Sequence, residues 1–570
     1  MITLKNINLS SIDLSGIDLR GIKLGLGGRG GGSGDGFPQL PGDVTRWHFG
    51  GLTNEMMAAM DDPRIEDADH KGRFLSFKNF AWKEGSGISD VYPGALVFDG
   101  VDDYGVCDNF PILTKEKGYT VVALRQWITR GKGALGLVSN VKNWLKDGAF
   151  LLEYRNIQAD HLNKPISFGV IGSEMDLPHI LTYQISKSYN GVSITTGNFE
   201  GTDVLHVGKL APTNVGTCIN AAIWELVFLD HDATEEELTK IKDYFVKTYP
   251  WLFPDQAWTV VGKTNEDEDR ATIANITGNG NNLVLSNFGF AEGSGYGLYG
   301  ENYNGGRWVK STDRADITWT SYSVNVTSVK IASTQLYYQS YPEQPSFTVP
   351  SYKIKVYGLK DGQTLSYKQA TSEGQQIYKI SEDGIYTLPS FPFKANGDWY
   401  GFTLNKVQET CDITIEQIPE YEGYLVTDGV DDKIVSSVFG MGKDFTIVGD
   451  WKFIDNKKSG TGLVKGSSFY IYNTEIGLDL YINSGSVKNS LDGIKSINAA
   501  CSDGRAYDRN WNEILANTGN VVGSGGTLEV SSSGGRFGRI AFKNLAIYPR
   551  ILSKDDCIKA YNYLQTLKAK

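Results

Sequence analysis

The sequence is poor in cysteine, in histidine motifs and in basic charge, and each shortage argues against a class of function. Its five cysteines are far apart and include no Cys-x-x-Cys pair, which argues against a disulfide framework and against a zinc cluster. The six histidines lack the His-Glu-x-x-His spacing of zinc proteases. The net charge is -11, so nucleic acid is not an expected partner.

Long apolar runs and nucleophile motifs are also missing. No stretch approaches the ~20 apolar residues of a membrane-spanning helix, so we expect no membrane insertion. The N-terminus has no basic segment followed by an apolar one, so we expect no secretory signal. The Gly-x-Ser-x-Gly elbow and the P-loop are absent. We therefore expect no catalytic residues and no enzymatic activity.

Glycine and aromatic residues are abundant, with 66 glycines and 30 tyrosines. Together with many short Val/Ile/Thr runs, this composition is typical of all-β modules. Residues about 301–420 alternate apolar and polar side chains, and Asp-Gly turns separate the runs. That pattern predicts a small β-sandwich.

Two passages of the chain contain the same series of short motifs. In the second passage the last motif arrives only after more than a hundred intervening residues. A duplicated unit that carries an insertion is therefore predicted. The motifs of the first passage, and then of the second, are Gly51–Glu55, Phe74–Phe80, Gly85–Gly87 and Asp99–Asp103, and Gly262–Glu266, Leu283–Phe288, Gly293–Gly295 and Asp428–Asp432.

The N-terminal 24 residues repeat every five positions and resemble pentapeptide-repeat proteins. Side chains two apart share one face of a strand, and so few repeats cannot cover their own apolar rows. We expect this segment to anchor the chain by docking on another protein. The glycine-rich residues that follow, up to 41, predict a flexible tether. The anchor residues are Ile2, Leu4, Ile7, Leu9, Ile12, Leu14, Ile17, Leu19, Ile22 and Leu24.

Two helices are predicted, one at the end of each repeated unit. Thr234 and Glu237 have the spacing of a capping box before an apolar stripe, and Ser553 with Asp556 occupies the corresponding place. The predicted domain plan is an anchor at 1–24, a tether at 25–41, a β-sandwich module at 42–255, a repeated lead-in at 256–300, an inserted β-sandwich at 301–420 and a second module at 421–570.

The segments Ala95–Tyr104, Tyr119–Val122 and Ile223–Phe228, closed by a capped helix, resemble laminin-G/concanavalin-A-like domains. Residues 425–564 resemble a second, more degenerate copy. The resemblance implies an all-β fold of tandem jelly-roll sandwiches with short C-terminal helices, a fold that often belongs to lectins. With its anchor and tether, the whole chain resembles head-fibre and tail-fibre proteins of crAss-like phages.

Two sets of candidate binding residues follow. Asp99, Asp102 and Asp103 could supply oxygen ligands to Ca²⁺, since clustered aspartates in loops suit that ion. Asp-Gly pairs are also standard turn residues whose carboxylates bond their own backbone. Exposed aromatic rings can stack on sugar rings, and the loop-borne candidates for that contact are Tyr296, Tyr299, Tyr303 and Trp308. Their alternative role is packing in the core of a sheet.

We expect a non-enzymatic protein of a phage particle, assembled in the host cytoplasm. Its predicted partners are capsid or tail proteins through the N-terminus, further copies of itself, and host surface polysaccharide. The alternatives are a purely structural connector, a polysaccharide depolymerase and a bacterial glycan-binding surface protein. Paired carboxylates for glycoside cleavage cannot be located from sequence, because their separation depends on the fold.

Overall fold

The structure is a computed structural model, and it describes residues 35–569 with internal gaps. The predicted anchor at 1–24 and most of the tether lie outside the described residues. The gaps are 112, 114–117, 130–135, 141–149, 154–155, 160–165, 168–178, 185–201, 210–217, 292, 304–307, 311–314, 330–332, 340–346, 372–373, 394–397, 406–408, 455–461, 466–468, 474–476, 483–489, 493–495, 516–524, 531 and 534–535.

The first module is a sandwich of two antiparallel sheets. Its elements are β1 (Val44–His48), α1 (Asn54–Ala58), β2 (Arg64–Glu66), β3 (Phe74–Lys78), β4 (Gly87–Ile88), β5 (Leu96–Asp99), β6 (Tyr104–Cys107), β7 (Thr120–Trp127), β8 (Gly136–Ser139), β9 (Phe150–Glu153), β10 (Asn156–Ala159), β11 (Ile166–Ser167), β12 (His179–Gln184), β13 (Leu205–Val207), β14 (Asn220–Leu229) and α2 (Glu235–Thr248). One sheet has the order β12-β7-β14-β5-β4, with β1 also paired to β14, and the other has the order β11-β10-β9-β8-β13-β6-β3-β2.

A short 3₁₀ helix, Pro250–Leu252, leads into the four strands of the repeated lead-in segment. These are β15 (Gln256–Thr259), β16 (Thr272–Ile273), β17 (Leu283–Ser286) and β18 (Gly295–Leu298).

The insertion is a separate sandwich of two five-stranded sheets. Its strands are β19 (Trp308–Lys310), β20 (Ala315–Trp319), β21 (Ser323–Val329), β22 (Ser333–Gln339), β23 (Phe347–Val349), β24 (Tyr352–Tyr357), β25 (Thr364–Thr371), β26 (Gly374–Ile380), β27 (Gly384–Leu388), β28 (Phe391–Phe393), β29 (Trp399–Asn405) and β30 (Glu409–Ile418). The sheet orders are β19-β22-β29-β25-β26 and β20-β21-β30-β24-β27. Alternation along β24 points Tyr352, Ile354 and Val356 into the core between them.

The last part of the chain completes the second module. Its elements are β31 (Glu420–Val426), β32 (Lys433–Ser436), β33 (Phe439–Gly440), β34 (Thr446–Phe453), β35 (Gly462–Lys465), β36 (Phe469–Asn473), β37 (Gly477–Ile482), β38 (Ser490–Asp492), β39 (Ile497–Cys501), β40 (Arg505–Asp508), β41 (Glu513–Leu515), β42 (Gly525–Gly526), β43 (Glu529–Val530), β44 (Ser532–Ser533), β45 (Arg536–Phe537), β46 (Ile540–Tyr548) and α3 (Lys554–Gln565).

The lead-in strands belong to the sheets of this second module. One sheet has the order β18-β31-β46-β34-β39-β40-β41, with β15 also on β46, and the other has the order β16-β17-β32-β43-β35-β36-β37-β38. The strand order repeats that of the first module, with β39-β34-β46-β31-β18 in the places of β12-β7-β14-β5-β4. The insertion thus separates two neighbouring strands, β18 and β31, of one sandwich.

The predicted caps and the predicted fold class are confirmed. The Thr234 hydroxyl accepts from the Glu237 amide, and the Glu237 side chain accepts from the Thr234 amide. Ser553 caps α3 in the same position. The structure is mostly β, built from antiparallel sheets, with a helix at the end of each repeated unit. Within the described residues, no helix has the length and apolar composition needed to cross a membrane.

The two repeated modules share a hydrophobic core of their own. It lies between α2, α3 and the outer faces of the two sheets that contain β14 and β46. The rings of Trp224 and Tyr563 meet edge to face at 6.4 Å, and the Tyr548 hydroxyl donates to the carbonyl of Trp251 at 2.8 Å. Every residue of β7 is buried, because one face of that strand lines the sandwich core and the other lines this shared core.

The position of the insertion predicts that it can be removed. In the first module residues 89–95 lie between the paired Ile88 of β4 and Leu96 of β5. In the second module residues 297–424, which include the ends of β18 and β31, lie between the paired Tyr296 and Leu425. The register pairs Ile88 with Leu96 and Tyr296 with Leu425, so both connections close the same short gap. We expect replacement of 297–424 by the seven residues of 89–95 to leave a soluble protein that unfolds in one cooperative transition, measured by circular dichroism against urea.

The matched control places the same seven residues in front of an intact insertion, after Tyr296, so that only the added hairpin is tested. Aggregation of the excised variant, with the control still folded, would show that the second module needs the insertion for its own stability.

Candidate functional site

The duplicated motifs build the same set of loop contacts in both modules. The Asn54 side chain accepts from the amide of Ile88 and donates to its carbonyl, both at 2.8 Å. Asn265 bonds the amide and carbonyl of Tyr296 in the same way, at 2.8 and 3.3 Å. Each asparagine therefore ties the segment that follows the first strand of its module to β4 or β18.

A second asparagine in each copy fastens the acidic turn. Asn79 donates to the carbonyl of Asp102, and Asn287 donates to the carbonyl of Asp431, each at 3.0 Å. Both have left-handed backbone angles, with φ of 69° and 68°, and asparagine tolerates that region better than most residues do. The repetition of these motifs in the sequence is thus explained by loop structure.

The acidic residues of the first turn bond mainly to their own backbone. The Asp99 carboxylate accepts from the amides of Val101 and Asp102 at 2.7 and 3.3 Å. The Asp103 carboxylate accepts from the amide of Asp99 at 3.0 Å. Carboxylate oxygens of all three aspartates lie within 4.8 Å of one another. A calcium ion would therefore compete with backbone amides for these oxygens, and the contacts match the turn interpretation.

The second turn has the same bonds and one more. Asp428 accepts from the amide of Val430 at 2.7 Å, and Asp432 accepts from the amide of Asp428 at 2.7 Å. The Ser294 hydroxyl also donates to Asp432 at 3.0 Å. Burial, together with the charges of the other two aspartates in each turn, raises the pKa of Asp103 to about 6 and that of Asp432 to about 6.

Because the pKa of Asp103 and of Asp432 is higher in the folded protein than in the unfolded chain, each module becomes less stable as the pH increases. The folded protein binds more protons than the unfolded chain between the ordinary pKa of 3.8 and the folded value of about 6, so stability from these groups is lost as the pH rises through that window. We compare the free energy of unfolding of the double variant Asp103→Asn/Asp432→Asn with that of the parent protein. We expect this difference to shift in favour of the variant by about 1 kcal/mol per site between pH 5 and pH 7, measured by urea unfolding at both pH values.

Asp102→Asn/Asp431→Asn changes the exposed neighbours in the same turns and serves as the control, with a smaller expected difference. Equal pH dependence of the parent protein and the Asp103/Asp432 variant would contradict the assignment.

Three of the four predicted sugar-stacking residues are buried, so the prediction of exposed rings is wrong for them. Tyr296 is 5 % exposed in the core of the second module, and its hydroxyl donates to the carbonyl of Arg270. Tyr303 and Trp308 lie in the core of the insertion with ring centroids 4.9 Å apart. The apolar area of these rings stabilises a core and is closed to a sugar.

Tyr299, the fourth candidate, lies on a cleft of about 860 Å³. Its ring stacks on Tyr322 of the insertion, with centroids 3.4 Å apart and an interplanar angle of 11°. The cleft opens between the insertion and the second module, where the chain crosses from one to the other and back. The residues that line it are Gly293, Leu298, Tyr299, Gly300, Glu301, Thr348, Pro350, Ser351, Tyr352, Lys353, Thr387, Ile418, Pro419, Glu420, Glu422 and Arg539.

The two crossing segments are held together at the base of the cleft. The side chain of Gln417 donates to the carbonyl of Glu301 at 2.8 Å and accepts from its amide at 3.1 Å. Gly300 has no side chain, and a Cβ there would lie 2.6 Å from the Cβ of Tyr352. Only glycine permits this close approach.

Charged and aromatic residues both line the cleft. The carboxylate of Glu301 accepts from the hydroxyl of Tyr400 at 2.7 Å, so it is held in place by the core of the insertion. Glu420, Glu422 and Lys353 are exposed on the walls. Burial, with a smaller contribution from nearby glutamates, raises the pKa of Tyr299 to about 12. The phenol therefore stays protonated near pH 7 and keeps a hydroxyl that can donate.

This arrangement suits a polar ligand that carries many hydroxyl groups. Binding sites of this size commonly combine an apolar platform with a few directed polar groups and lie at domain interfaces. Sequence reasoning singled out Tyr299 but missed Lys353, Glu422 and the half-buried Arg539. No local signal marks these residues, because they come from three distant parts of the chain.

Comparison with known proteins adds little to this geometry. No protein family matches the sequence, and no curated protein matches it either. A Trypanosoma rangeli sialidase in complex with the inhibitor DANA aligns at 9 % identity and a TM-score of 0.20, over 51 % of this chain and 67 % of the sialidase. An N-terminal tandem CBM22 domain from Paenibacillus barcinonensis aligns at 10 % identity and a TM-score of 0.14, over 45 % of this chain and 98 % of that domain. Similarities this distant carry no argument about function.

Proposed function

We propose that the chain is a non-enzymatic protein displayed on a tailed-phage particle, attached through residues 1–24 and contacting host surface saccharide through the cleft beside Tyr299. The observation that carries the saccharide contact is the cleft itself. It combines an aromatic residue, exposed carboxylates and a lysine in a space of about 860 Å³. The attachment depends on the five-residue repeat of the first 24 residues, which lies outside the described residues.

The chemistry of a sugar fits these groups. The apolar face of a pyranose ring packs on an aromatic ring, while carboxylates and a lysine ammonium bond to ring hydroxyls. Exposed Glu420, Glu422 and Lys353 make such bonds available at the rim. One site of this kind binds weakly, and many copies on one particle would supply avidity.

Lys353 provides a controlled test of the cleft. It alternates with buried residues on the exposed face of β24, as does Lys355 two positions further on, and only Lys353 is among the residues that line the cleft. We expect Lys353→Ala to weaken binding of a host capsular oligosaccharide about tenfold, the usual order for a lost bond to a charged group. Lys355→Ala should leave the affinity unchanged. A glycan array identifies the oligosaccharide, and calorimetry measures the affinity.

The same assay separates the alternatives. Absence of binding to every host capsular sugar on the array would favour a purely structural connector. Release of reducing ends from capsule would favour a depolymerase, for which the cleft glutamates would be the first residues to substitute. Equal losses of affinity in both lysine variants would show that the sugar binds elsewhere.

The attachment is tested on purified particles. We expect mass spectrometry to find the full chain in particles, and we expect a chain lacking residues 1–24 to be absent from them although its body folds normally. The truncation removes the apolar rows that need a partner surface and none of the described strands. Recovery of the truncated protein with particles would refute the anchor, and recovery of the full chain in the bacterial envelope alone would favour a bacterial surface protein.

A further inference from the structure

One sheet of the insertion ends at an exposed edge strand, β26. This strand is the last member of its sheet and pairs only with β25. One side of its backbone therefore has no neighbouring strand within the described part of the chain. It is seven residues long, which makes it the longest edge strand among the described residues.

The usual protection of a sheet edge is absent from β26. Proteins usually blunt sheet edges with short strands, bulges, prolines or charges. Edge strand β2 of the first module has only three residues, and edge strand β20 of the insertion has a register shift between Asp316 and Ile317. The pairing of β26 with β25 runs without a shift, and β26 contains no proline. Its single charged residue is Lys379, next to the last position.

The side chains of β26 are open to solvent on both faces. Six of its seven residues are exposed. Among them Ile377 is 55 % exposed and Tyr378 is 37 % exposed. A second strand laid beside β26 would bond its free backbone groups and cover both side chains, so hydrogen bonding and apolar burial would act together.

The sequence of β26 is complementary to itself in the antiparallel direction. Around a twofold axis at Ile377, that residue meets its own copy, Gln376 meets Tyr378, and Gln375 meets Lys379. No two like charges face each other in this register. The glutamine side chains can accept from the lysine and from the tyrosine hydroxyl, as the Tyr378 hydroxyl already donates to Gln376 within the strand at 3.0 Å.

We propose that two copies of the chain associate through β26, forming a continuous antiparallel sheet across a twofold axis at Ile377. Such an interface is self-complementary and closed. It joins the insertions of two chains and leaves the shared core of the two modules untouched. The proposal does not depend on attachment to a particle or on saccharide binding.

Charge substitutions at Gln375 test both the surface and the register. In the proposed pairing, Gln375→Lys places a lysine opposite Lys379 of the other copy, twice per dimer, so we expect the dissociation constant for self-association to rise about two- to thirtyfold. Gln375→Glu should lower it, and Gln375→Lys/Lys379→Glu should restore it. Sedimentation velocity of the full chain over a concentration series measures these constants.

Ile385→Lys is the matched control, because Ile385 is 64 % exposed on β27, the edge strand of the other sheet of the insertion. Ile377→Lys should abolish association, while Ile385→Lys should leave it unchanged. A parent protein that stays monomeric at all concentrations would overturn the proposal, as would a dimer that Ile377→Lys leaves intact. Failure of the double variant to restore association would reject the register and with it the twofold axis at Ile377.

Discussion

The structure depends on the apolar contact between the two repeated modules. In each module, one sheet packs against its partner sheet on one face and against helices and the other module on the opposite face. A sheet that is covered on both faces needs nearly continuous apolar strands, and β7 and β14 meet that need. Because α2, the 3₁₀ helix and α3 all contribute to this shared core, the two modules are joined by far more than the linker between them.

Strand pairing in the second module explains where the insertion can be accommodated. On either side of it, Tyr296 of β18 and Leu425 of β31 are paired across neighbouring strands, so the second module continues past the insertion without a long gap. The two crossing segments must then run side by side, held by Gln417 and Glu301. The cleft lies where these segments cross, since residues on both sides of the crossing line it.

The acidic turns show how a suggestive motif can have a structural role. Each turn uses its carboxylates to bond backbone amides, and in the second copy a serine hydroxyl takes part as well. Burying Asp103 and Asp432 costs stability near neutral pH, as their raised pKa values indicate. The bonds that fix the turn offset this cost, and the presence of the arrangement in both modules agrees with a role in loop structure.

Several features were predictable because they depend on neighbours in the chain. The capping box at Thr234 and Glu237 is a contact over three residues. Apolar and charged side chains alternate along β24, and this alternation identifies the face of the strand that points into the core. The duplicated motifs indicated a second unit interrupted by an insertion, and β18 and β31 do pair across that interruption. Whether each aromatic candidate is buried or exposed was not predictable, because a tyrosine in a glycine-rich stretch has the same local pattern whether it faces a core or a cleft.

The sequence by itself determined the all-β class, the helix caps and the repeated loop motifs, since these follow from side-chain periodicity and from contacts over a few residues. Only the tertiary structure decided that Tyr303 and Trp308 are core residues while Tyr299 borders a cleft. It also decided that Lys353, Glu422 and Arg539 line one cleft. The physical reason is that burial and proximity depend on how separate sheets pack, and the residues that meet there are far apart along the chain.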